Sequence, residues 1–337
     1  RRLIVLERAR RALKLRKLYD NWLLTLVEYK LLGRPSITVK CRGGSSFSVS
    51  RDLYLQLADL VDRGVVVGCT GGHLEVSVGR ERSLIPFDEI KRMPRHIYTI
   101  SKAVERGWRY EDGYWEKGGV KFVRMHAEII GTFEDEEYSI VDVKGKQVVD
   151  VGAFVGDTSI YFALKGAERV YAIEPHPLAY EELVRNVGLN GLQGRVIPLN
   201  LAISYVEEYV SIPLGLDVSE TPVTLFKGPG EGRAWLKVRA ARLGDVVREY
   251  GVRPDVLKMD CEGCEYDVIL RDYDTVSQFE QVMFEYHAYN VGVPASRLLE
   301  ALGRQFSCEL VNEQIYMKND PNWDKSKIGA YYCVRKR

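Results

Sequence analysis

The strongest structural signal in this chain is Val148-Val149-Asp150-Val151-Gly152-Ala153-Phe154-Val155-Gly156-Asp157-Thr158. The pattern predicts a buried strand that ends in a glycine-rich turn and leads into a helix. Gly152 permits a sharp turn or the close approach of a ligand, because it has no Cβ atom. Asp157, Thr158 and Ser159 offer side-chain oxygens where the first amides of a helix lack partners. The stretch therefore predicts the first strand, turn and helix of a βαβ unit.

An acidic residue follows the second strand of this unit and indicates the kind of ligand. Glu174 lies directly after the apolar residues 170–173, where a carboxylate is placed to hold ribose hydroxyls. Gly152 and Gly156 have the spacing G-x-x-x-G instead of G-x-G-x-x-G, and Asp150 would repel a phosphate group. A ligand with a ribose, a positive charge and no phosphate fits these residues better, and S-adenosylmethionine has all three properties.

Length and composition are those of a globular protein. The chain has 337 residues, a formal net charge of +1, 46% hydrophobic and 28% charged residues. This predicts two domains and argues against nucleic acid as a partner. No run reaches the roughly 18 apolar residues of a membrane-spanning helix, so we expect a cytoplasmic protein. Because the first residue is Arg1 instead of methionine, the question of a removed targeting segment stays open.

We expect residues 1–119 to form an accessory region. Apolar residues recur at helical spacing over residues 1–32, and eight Arg or Lys residues lie among the first seventeen. Such a basic amphipathic helix can contact an anionic membrane surface, grip RNA, or pack on its own domain or on a dimer mate with a solvated basic face. Short strands around one helix follow over residues 36–80, which predicts a small α+β unit.

Two further features allow more than one interpretation. The aromatic residues between Trp108 and Trp115 could stack on a sugar or a base, although a small satellite core is the commoner arrangement. Cys261 and Cys264 form a single C-x-x-C among six cysteines, which is weak evidence for zinc or redox chemistry. Buried or incidental thiols explain the cysteines better, and the abundance of Arg, Lys and Glu, which hints at a thermophile, leaves intracellular disulfides open as well.

From residue 120 onward, apolar strands alternate with amphipathic helices. A strand ending at Asp150 is followed by strands at residues 170–173, 196–199, 256–259 and 282–284. This alternation predicts a parallel sheet with helices on both faces. The last apolar segments, residues 309–311 with 315–317 and residues 331–334, are expected to close the sheet as antiparallel edge strands.

Polar residues follow each predicted strand, where an open parallel sheet binds its ligands. Each could have an ordinary role as a helix cap, a surface carboxylate or a turn residue, but together they predict one crevice. They are, strand by strand, Asp150 with Gly152; Glu174-Pro175-His176-Pro177; Asn200-Leu201-Ala202; Asp260-Cys261-Glu262-Gly263; and Glu285-Tyr286-His287.

Lys258 lies within a strand that is otherwise apolar. A buried lysine needs a carboxylate partner, because an unpaired charge is costly to bury. We expect that partner among Asp260, Glu262, Glu265 and Glu285. Such a concentration of carboxylates is typical of an active site with perturbed pKa values, although a buried ion-pair network gives the same pattern.

Four segments of the chain are similar to one known family. They are the stretch from Val148 to Thr158 quoted above, Ala172-Ile173-Glu174-Pro175, Asn186 with Asn190-Gly191-Leu192, and Asp255-Val256-Leu257-Lys258-Met259-Asp260-Cys261-Glu262-Gly263-Cys264-Glu265. In these the chain resembles the FkbM-type methyltransferases, class I enzymes that use S-adenosylmethionine. The likeness covers residues 120–336, and Asn21-Trp22 and residues 45–50 also look like archaeal members.

The resemblance implies a fold and a cofactor site. The fold is an α/β class I methyltransferase domain over residues 120–337, a Rossmann-like doubly wound sheet, mostly parallel, with antiparallel C-terminal edge strands. The cofactor is S-adenosylmethionine, with Glu174 on its ribose and residues 200–202 along its adenine and ribose. The residues expected around it are Asp150, Gly152, Ala153, Phe154, Val155, Gly156, Asp157, Thr158, Glu174, Pro175, His176, Asn200, Leu201, Ala202, Asp260 and Glu262.

The resemblance also implies a hydroxyl acceptor, on a small molecule or a glycan. Such an acceptor must lose its proton, and the expected catalytic residues are Asp260, Glu285, His287 and Lys258, the first three as candidate bases. Asp260, Glu285 and His287, with Glu262, could also hold a divalent metal ion, although the sequence does not require one. An RNA methyltransferase that grips RNA through its basic first helix, and an inactive binding module on the same fold, are the competing interpretations.

Overall fold

The computed structural model describes residues 14–92, 97–205, 208–213 and 235–337. The chain divides into two compact units, residues 1–130 and 131–337. In the described residues no helix is both long enough and apolar enough to cross a lipid bilayer.

Unit 1 is built from short antiparallel sheets and helices. Its strands pair as β1-β2, β3-β4-β5 and β6-β7-β8. In chain order the elements are α1 (Trp22–Lys30), β1 (Ser36–Lys40), β2 (Ser46–Ser50), α2 (Arg51–Asp62), β3 (Val66–Thr70), β4 (His73–Val78), β5 (Glu81–Pro86), α3 (Phe87–Arg92), α4 (Ile97–Glu105), β6 (Arg109–Glu111), β7 (Tyr114–Lys117), β8 (Val120–Phe122) and α5 (Ala127–Phe133), which continues past residue 130.

Two predictions for this region need correction or comment. The single helix expected over residues 1–32 is wrong in its described part, because a turn precedes α1 and Tyr19 forms an isolated bridge with Cys41. Residues 1–13, with most of the basic side chains of that prediction, lie outside the described residues. The predicted domain boundary between residues 119 and 120 falls inside the β7–β8 hairpin.

The aromatic segment of unit 1 forms a small core. The indoles of Trp108 and Trp115 are 1% and 0% exposed, and the ring of Tyr110 packs edge-on against Trp115 at 5.6 Å. Rings that are buried in this way cannot stack on a ligand, so this packing favours the core interpretation.

Unit 2 contains one large sheet and a smaller one. The smaller sheet has the order β12-β14-β13, and its β13–β14 pair is antiparallel. The elements are β9 (Gln147–Val151), α6 (Asp157–Leu164), β10 (Arg169–Ile173), α7 (Pro177–Leu189), β11 (Val196–Leu199), β12 (Ala202–Ile203), β13 (Tyr209–Pro213), β14 (Trp235–Ala241), α8 (Leu243–Glu249), β15 (Val256–Met259), α9 (Cys264–Arg271), α10 (Tyr273–Val276), β16 (Gln281–His287), α11 (Ala288–Val291), α12 (Ser296–Leu302), β17 (Phe306–Val311), α13 (Glu313–Asn319) and β18 (Ile328–Arg335).

The large sheet has seven strands in the order β11-β10-β9-β15-β16-β18-β17. The first five are parallel, and the order reverses between β9 and β15. All four residues of β15 are buried, and so are the last four of β9. Since neighbouring side chains on a strand point to opposite faces, both faces of the sheet are covered. The predicted Rossmann-like class I fold is therefore confirmed.

The C-terminal strands differ in detail from the prediction. β18 is antiparallel to both of its neighbours, β16 and β17, so β17 at the edge runs parallel to the first five strands. Residues 315–317 were expected to form a strand, but they belong to helix α13. That expectation was wrong because a short apolar run does not distinguish a helix from a strand.

All six cysteines form disulfides, whereas buried or incidental thiols were the favoured interpretation of the sequence. Cys41 is bonded to Cys69 within unit 1, and Cys261 to Cys264 directly after β15. Cys308 and Cys333 face each other across β17 and β18. Cys261 and Cys264 of the C-x-x-C pair are therefore bonded to each other and offer no thiolates to zinc.

Candidate active site

The turn after β9 is held against the end of β15. Gly152, Phe154 and Gly156 have positive φ angles of 79°, 45° and 87°. A Cβ atom on Gly152 would lie 1.8 Å from the carbonyl oxygen of Asp260, and the Asp260 amide donates to Val151 O at 2.9 Å. Glycine is thus required here because the backbone of Asp260 occupies the position that a Cβ atom would need.

Asp150 and Lys258 form a buried ion pair across β9 and β15. The two residues are register partners on adjacent parallel strands, and Lys258 Nζ lies 3.0 Å from Asp150 Oδ1. Lys258 also donates to Gly152 O at 3.1 Å, and Ser159 donates to Asp150 Oδ2 at 2.6 Å. Burial opposes the lysine charge, but the surrounding carboxylates, led by Asp150, raise the pKa of Lys258.

This pair corrects one expectation. The partner of Lys258 is Asp150, and not one of the four later carboxylates named from the sequence. Asp150 is 0% exposed, and its charge is balanced inside the protein by Lys258. The ion pair therefore supports the turn that follows β9.

Glu174 connects the end of β10 to the turn. Its carboxylate accepts the amide of Phe154 at 2.9 Å and the amide of His176 at 2.7 Å. Burial raises the pKa of Glu174 to about 8, against the lowering effect of these two hydrogen bonds. A carboxylate has about four acceptor positions, so Glu174 keeps capacity for hydroxyl donors.

The remaining predicted cofactor residues divide into a buried set and an accessible rim. Near the rim, Asn200 donates to the carbonyls of Glu174 and Pro175 at 2.9 and 3.1 Å, and the buried His176 caps α7 by accepting from the Leu178 amide. The buried set is Ala153, Val155, Gly156, Asp157, Thr158, His176, Leu201 and Ala202. The accessible rim is Gly152, Phe154, Pro175, Asn200, Asp260 and Glu262.

Four carboxylates surround His287 at the ends of β15 and β16. Its Nε2 atom lies 3.3 Å from Glu285, 3.8 Å from Asp260 and 3.8 Å from Glu262. On the other side of the ring, Nδ1 lies 3.2 Å from Glu265. We call Asp260, Glu262 and Glu285 the carboxylate cluster. Their side chains are 31%, 25% and 21% exposed, whereas His287 is 1% exposed.

His287 and the carboxylates around it shift one another's pKa values. Burial opposes a charge on His287, but the hydrogen bonds and charges of Glu265 and Glu285 raise its pKa to about 12. Burial and the adjacent Glu285 raise the pKa of Asp260 well above its usual value. Burial would also raise the pKa of Glu285, but His287 lowers it below the usual value. In this state the histidine is an imidazolium, so the carboxylates are better placed as bases.

The structure adds contacts that the sequence did not reveal. Glu265 is the partner of His287, Tyr316 donates to Glu285, and Asn290 donates to Glu262 at 2.9 Å. Glu265 belongs to the motif at residues 255–265, but its partner lies 22 residues away. Tyr316 is separated from Glu285 by 31 residues, and no local spacing marks it.

The family is decided by a sequence comparison. Residues 150–306 match the model of the methyltransferase FkbM domain. The chain carries an FkbM methyltransferase domain. The match begins at Asp150 and includes Glu174, the carboxylate cluster and His287, whereas Tyr316 lies beyond its end. The family resemblance noted in the sequence is thereby confirmed.

Two curated relatives are also methyltransferases by name. The chain is 30% identical to methyltransferase sdnD of Sordaria araneosa, over 41% of this chain and 64% of that protein. It is 32% identical to protein arginine N-methyltransferase 6 of Danio rerio, over 25% of this chain and 23% of that protein. The chain thus spans less than two thirds of either relative.

Similar solved structures include that of M. capricolum TrmK in complex with S-adenosyl-homocysteine. That match has 9% identity, covers 63% of this chain and 69% of the other, and has a TM-score of 0.37. Likeness at this level bears on neither cofactor nor substrate.

Proposed function

We propose that the FkbM domain transfers the methyl group of S-adenosylmethionine to a hydroxyl of a saccharide or glycoconjugate. The observation that carries the proposal is the arrangement at one edge of the sheet. Glu174 lies at the end of β10, and the carboxylate cluster lies at the ends of β15 and β16, on both sides of the turn at residues 152–156.

The chemistry of these side chains fits S-adenosylmethionine. Glu174 can accept ribose hydroxyls, and Phe154, Pro175 and Asn200 on the rim offer a surface beside it. The Lys258 cation is paired with Asp150 at 3.0 Å, so it does not favour a phosphate group. A phosphate-free ligand with a ribose and a positive charge therefore suits this edge.

When bound, S-adenosylmethionine supplies an electrophilic methyl group on a sulfonium. The protein has to align the acceptor, keep water away and remove one proton. His287 is 1% exposed, and both ring nitrogens face carboxylates, so it offers no atom to an acceptor. The partly exposed carboxylate cluster is placed to take the hydroxyl proton.

The accessible side of the cluster suits a sugar. Three carboxylates side by side can accept hydrogen bonds from neighbouring hydroxyls, which saccharides present in series. Tyr289 is 55% exposed and its hydroxyl donates to Glu262 at 3.4 Å. Its ring can pack against the apolar face of a sugar while the carboxylates bind the hydroxyl edge.

Methyl transfer from labelled S-adenosylmethionine to a panel of saccharides, glycolipids and RNA tests the proposal. We expect label in a saccharide, with NMR of the product showing a new O-methyl group. Transfer to RNA and not to saccharides would make the acceptor assignment wrong. Absence of S-adenosylmethionine binding to the folded protein in calorimetry would refute the methyltransferase proposal itself.

Donor binding is tested separately with Glu174→Gln. It should weaken S-adenosylmethionine binding at least about tenfold, because it removes one of the acceptor oxygens proposed for the ribose. Glu181→Gln is the matched control, since Glu181 is an exposed residue of α7. Equal affinity in the two variants would place the ribose elsewhere.

A further inference from the structure

Two carboxylates and a histidine converge at the carboxyl ends of β15 and β16. Asp260 follows β15, whereas Glu285 and His287 lie two positions apart on β16 and therefore project from the same face. One oxygen or nitrogen atom from each of the three residues lies within 4.8 Å of the other two.

The distances from Nε2 of His287 to the nearest carboxylate oxygens are 3.3 Å for Glu285 and 3.8 Å for Asp260. Atoms that each bind one ion at about 2.0–2.2 Å lie roughly 3–4 Å from one another. The spacing therefore fits ligands around a shared ion.

A separate observation concerns the other side of the imidazole. Nδ1 of His287 lies 3.2 Å from Glu265, which is 0% exposed and also accepts the His287 amide at 2.8 Å. The second oxygen of Glu265 accepts the Gly263 amide at 2.9 Å. A carboxylate fixed behind the ring keeps a proton on Nδ1 and directs Nε2 forward, as it does in metal centres.

We propose that Asp260, Glu285 and His287 bind a divalent transition-metal ion. One imidazole with two carboxylates suits manganese, iron or zinc better than magnesium or calcium, which prefer oxygen ligands alone. The side chains of Asp260 and Glu285 are 31% and 21% exposed, so the side of the site away from His287 is open to other ligands. The ion takes the place of the proton on Nε2.

The binding site depends only on this geometry, but its use in catalysis rests on the proposed function. An acceptor hydroxyl bound to the ion has a lowered pKa. Its oxygen forms the bond to the methyl carbon, the carbon–sulfur bond breaks with its electron pair on sulfur, and the hydroxyl proton passes to Glu262. Glu262 is 25% exposed and lies beside the three ligands.

To test the proposal, the full chain is first freed of metal with a chelator, which is then removed. The metal-free protein is titrated with MnCl2, and binding is measured by electron paramagnetic resonance and calorimetry. We expect one tightly bound Mn²⁺ per chain. Asp260→Asn and Glu285→Gln should each weaken it at least about tenfold. Glu300→Gln should leave it unchanged, because Glu300 is 67% exposed on α12 and pairs with Arg297 at the surface.

Two results would overturn the metal site: no Mn²⁺ binding to the folded wild type, or equal binding in all three variants. Should a variant fail to fold, wild-type crystals soaked in MnCl2 decide the matter. An anomalous peak within about 2.5 Å of all three ligand atoms supports the site. Absence of a peak there refutes it.

Calorimetry with S-adenosylmethionine on the same metal-free samples separates this proposal from the previous one. Binding of S-adenosylmethionine without any binding of Mn²⁺ refutes the metal site and leaves the methyltransferase proposal intact. Binding of Mn²⁺ without any binding of S-adenosylmethionine supports the metal site and refutes the methyltransferase proposal.

Discussion

At the scale of single residues, the contact of Gly152 with Asp260 O leaves no room for a side chain. Gly152→Ala should destabilise the protein in two ways, through its φ of 79° and through a Cβ placed 1.8 Å from that oxygen. Gly145→Ala is the matched control, because Gly145 has a φ of 69° and nothing within 4 Å of its ideal Cβ.

We expect a loss of about 1–2 kcal/mol for the control, from the left-handed backbone alone. Gly152→Ala should cost a further roughly 1–3 kcal/mol, because the two strand ends must separate. The measurement is the free energy of unfolding in urea. Equal losses in the two variants would show that the turn can move away from Asp260.

Breaking the buried ion pair gives a second prediction. Lys258→Met should lower the free energy of unfolding by about 3–5 kcal/mol, because it leaves the Asp150 carboxylate buried without a cation. The double variant Lys258→Met with Asp150→Asn should regain part of this loss, since no unpaired charge remains. Urea unfolding of the two variants and the wild type measures the difference. A double variant less stable than Lys258→Met would contradict this reasoning.

The third prediction concerns pH. Burial raises the pKa of Glu174 to about 8 in the folded chain, above its ordinary value of 4.5. The folded state therefore holds this proton more tightly than the unfolded state, and the associated stability is lost as the pH rises from about 4.5 through 8. Glu174→Gln should flatten this part of the profile of unfolding free energy against pH, whereas Glu181→Gln should not. Parallel profiles for wild type and Glu174→Gln would refute the assignment.

The sequence identified many residues of the site but not their contacts. Glu174 follows the second strand, and Asp260, Glu285 and His287 lie at the ends of the fourth and fifth. Since open parallel sheets bind ligands at the carboxyl ends of their strands, these positions were enough to predict that the residues share one site. The Asp150–Lys258 pair was missed because it depends on the register of β9 against β15, which lie more than 100 residues apart. Tyr316 was missed for a different reason, because it lies on helix α13, 31 residues from Glu285, and no local spacing links the two.

At the scale of elements, the strands of the large sheet were predictable from their apolar runs. The predicted strands at residues 196–199 and 256–259 coincide with β11 and β15. The prediction failed at residues 315–317, where the apolar triplet lies in the short helix α13 and none of the helix residues is buried. Without a buried face, such a segment has no period that identifies it.

The disulfide between β17 and β18 supplies the prediction at this scale. Cys308→Ser with Cys333→Ser should lower the free energy of unfolding by about 2–4 kcal/mol, because the bond closes a loop with a sequence separation of 25. Cys261→Ser with Cys264→Ser is the control, since its loop has a separation of 3 and constrains the unfolded chain less. Urea unfolding should show a larger loss for the first pair by about 1–2 kcal/mol. The reverse order would mean that native contacts outweigh chain entropy.

At the scale of the whole molecule, every residue of the candidate site belongs to unit 2. This unit has its own core, in which Val149, Ile173, Leu257 and Phe284 are all 0% exposed. Residues 131–337 expressed alone should therefore fold and bind S-adenosylmethionine with an affinity within about threefold of the full chain. Calorimetry on both proteins measures this, with circular dichroism to verify folding. A folded fragment that does not bind would show that residues 1–130 complete the site.

The junction of the β9 turn with the Asp260 backbone also bears on how the proposed activity can be redesigned. Gly152 and Asp260 meet without a gap, so the half proposed to hold the methyl donor and the half proposed to receive the acceptor are in direct backbone contact. A new acceptor preference introduced at residues 260–263 would shift the donor half as well. Directed evolution toward other acceptors should thus accumulate substitutions at accessible neighbours such as Tyr289 and Asn290 and leave the junction untouched.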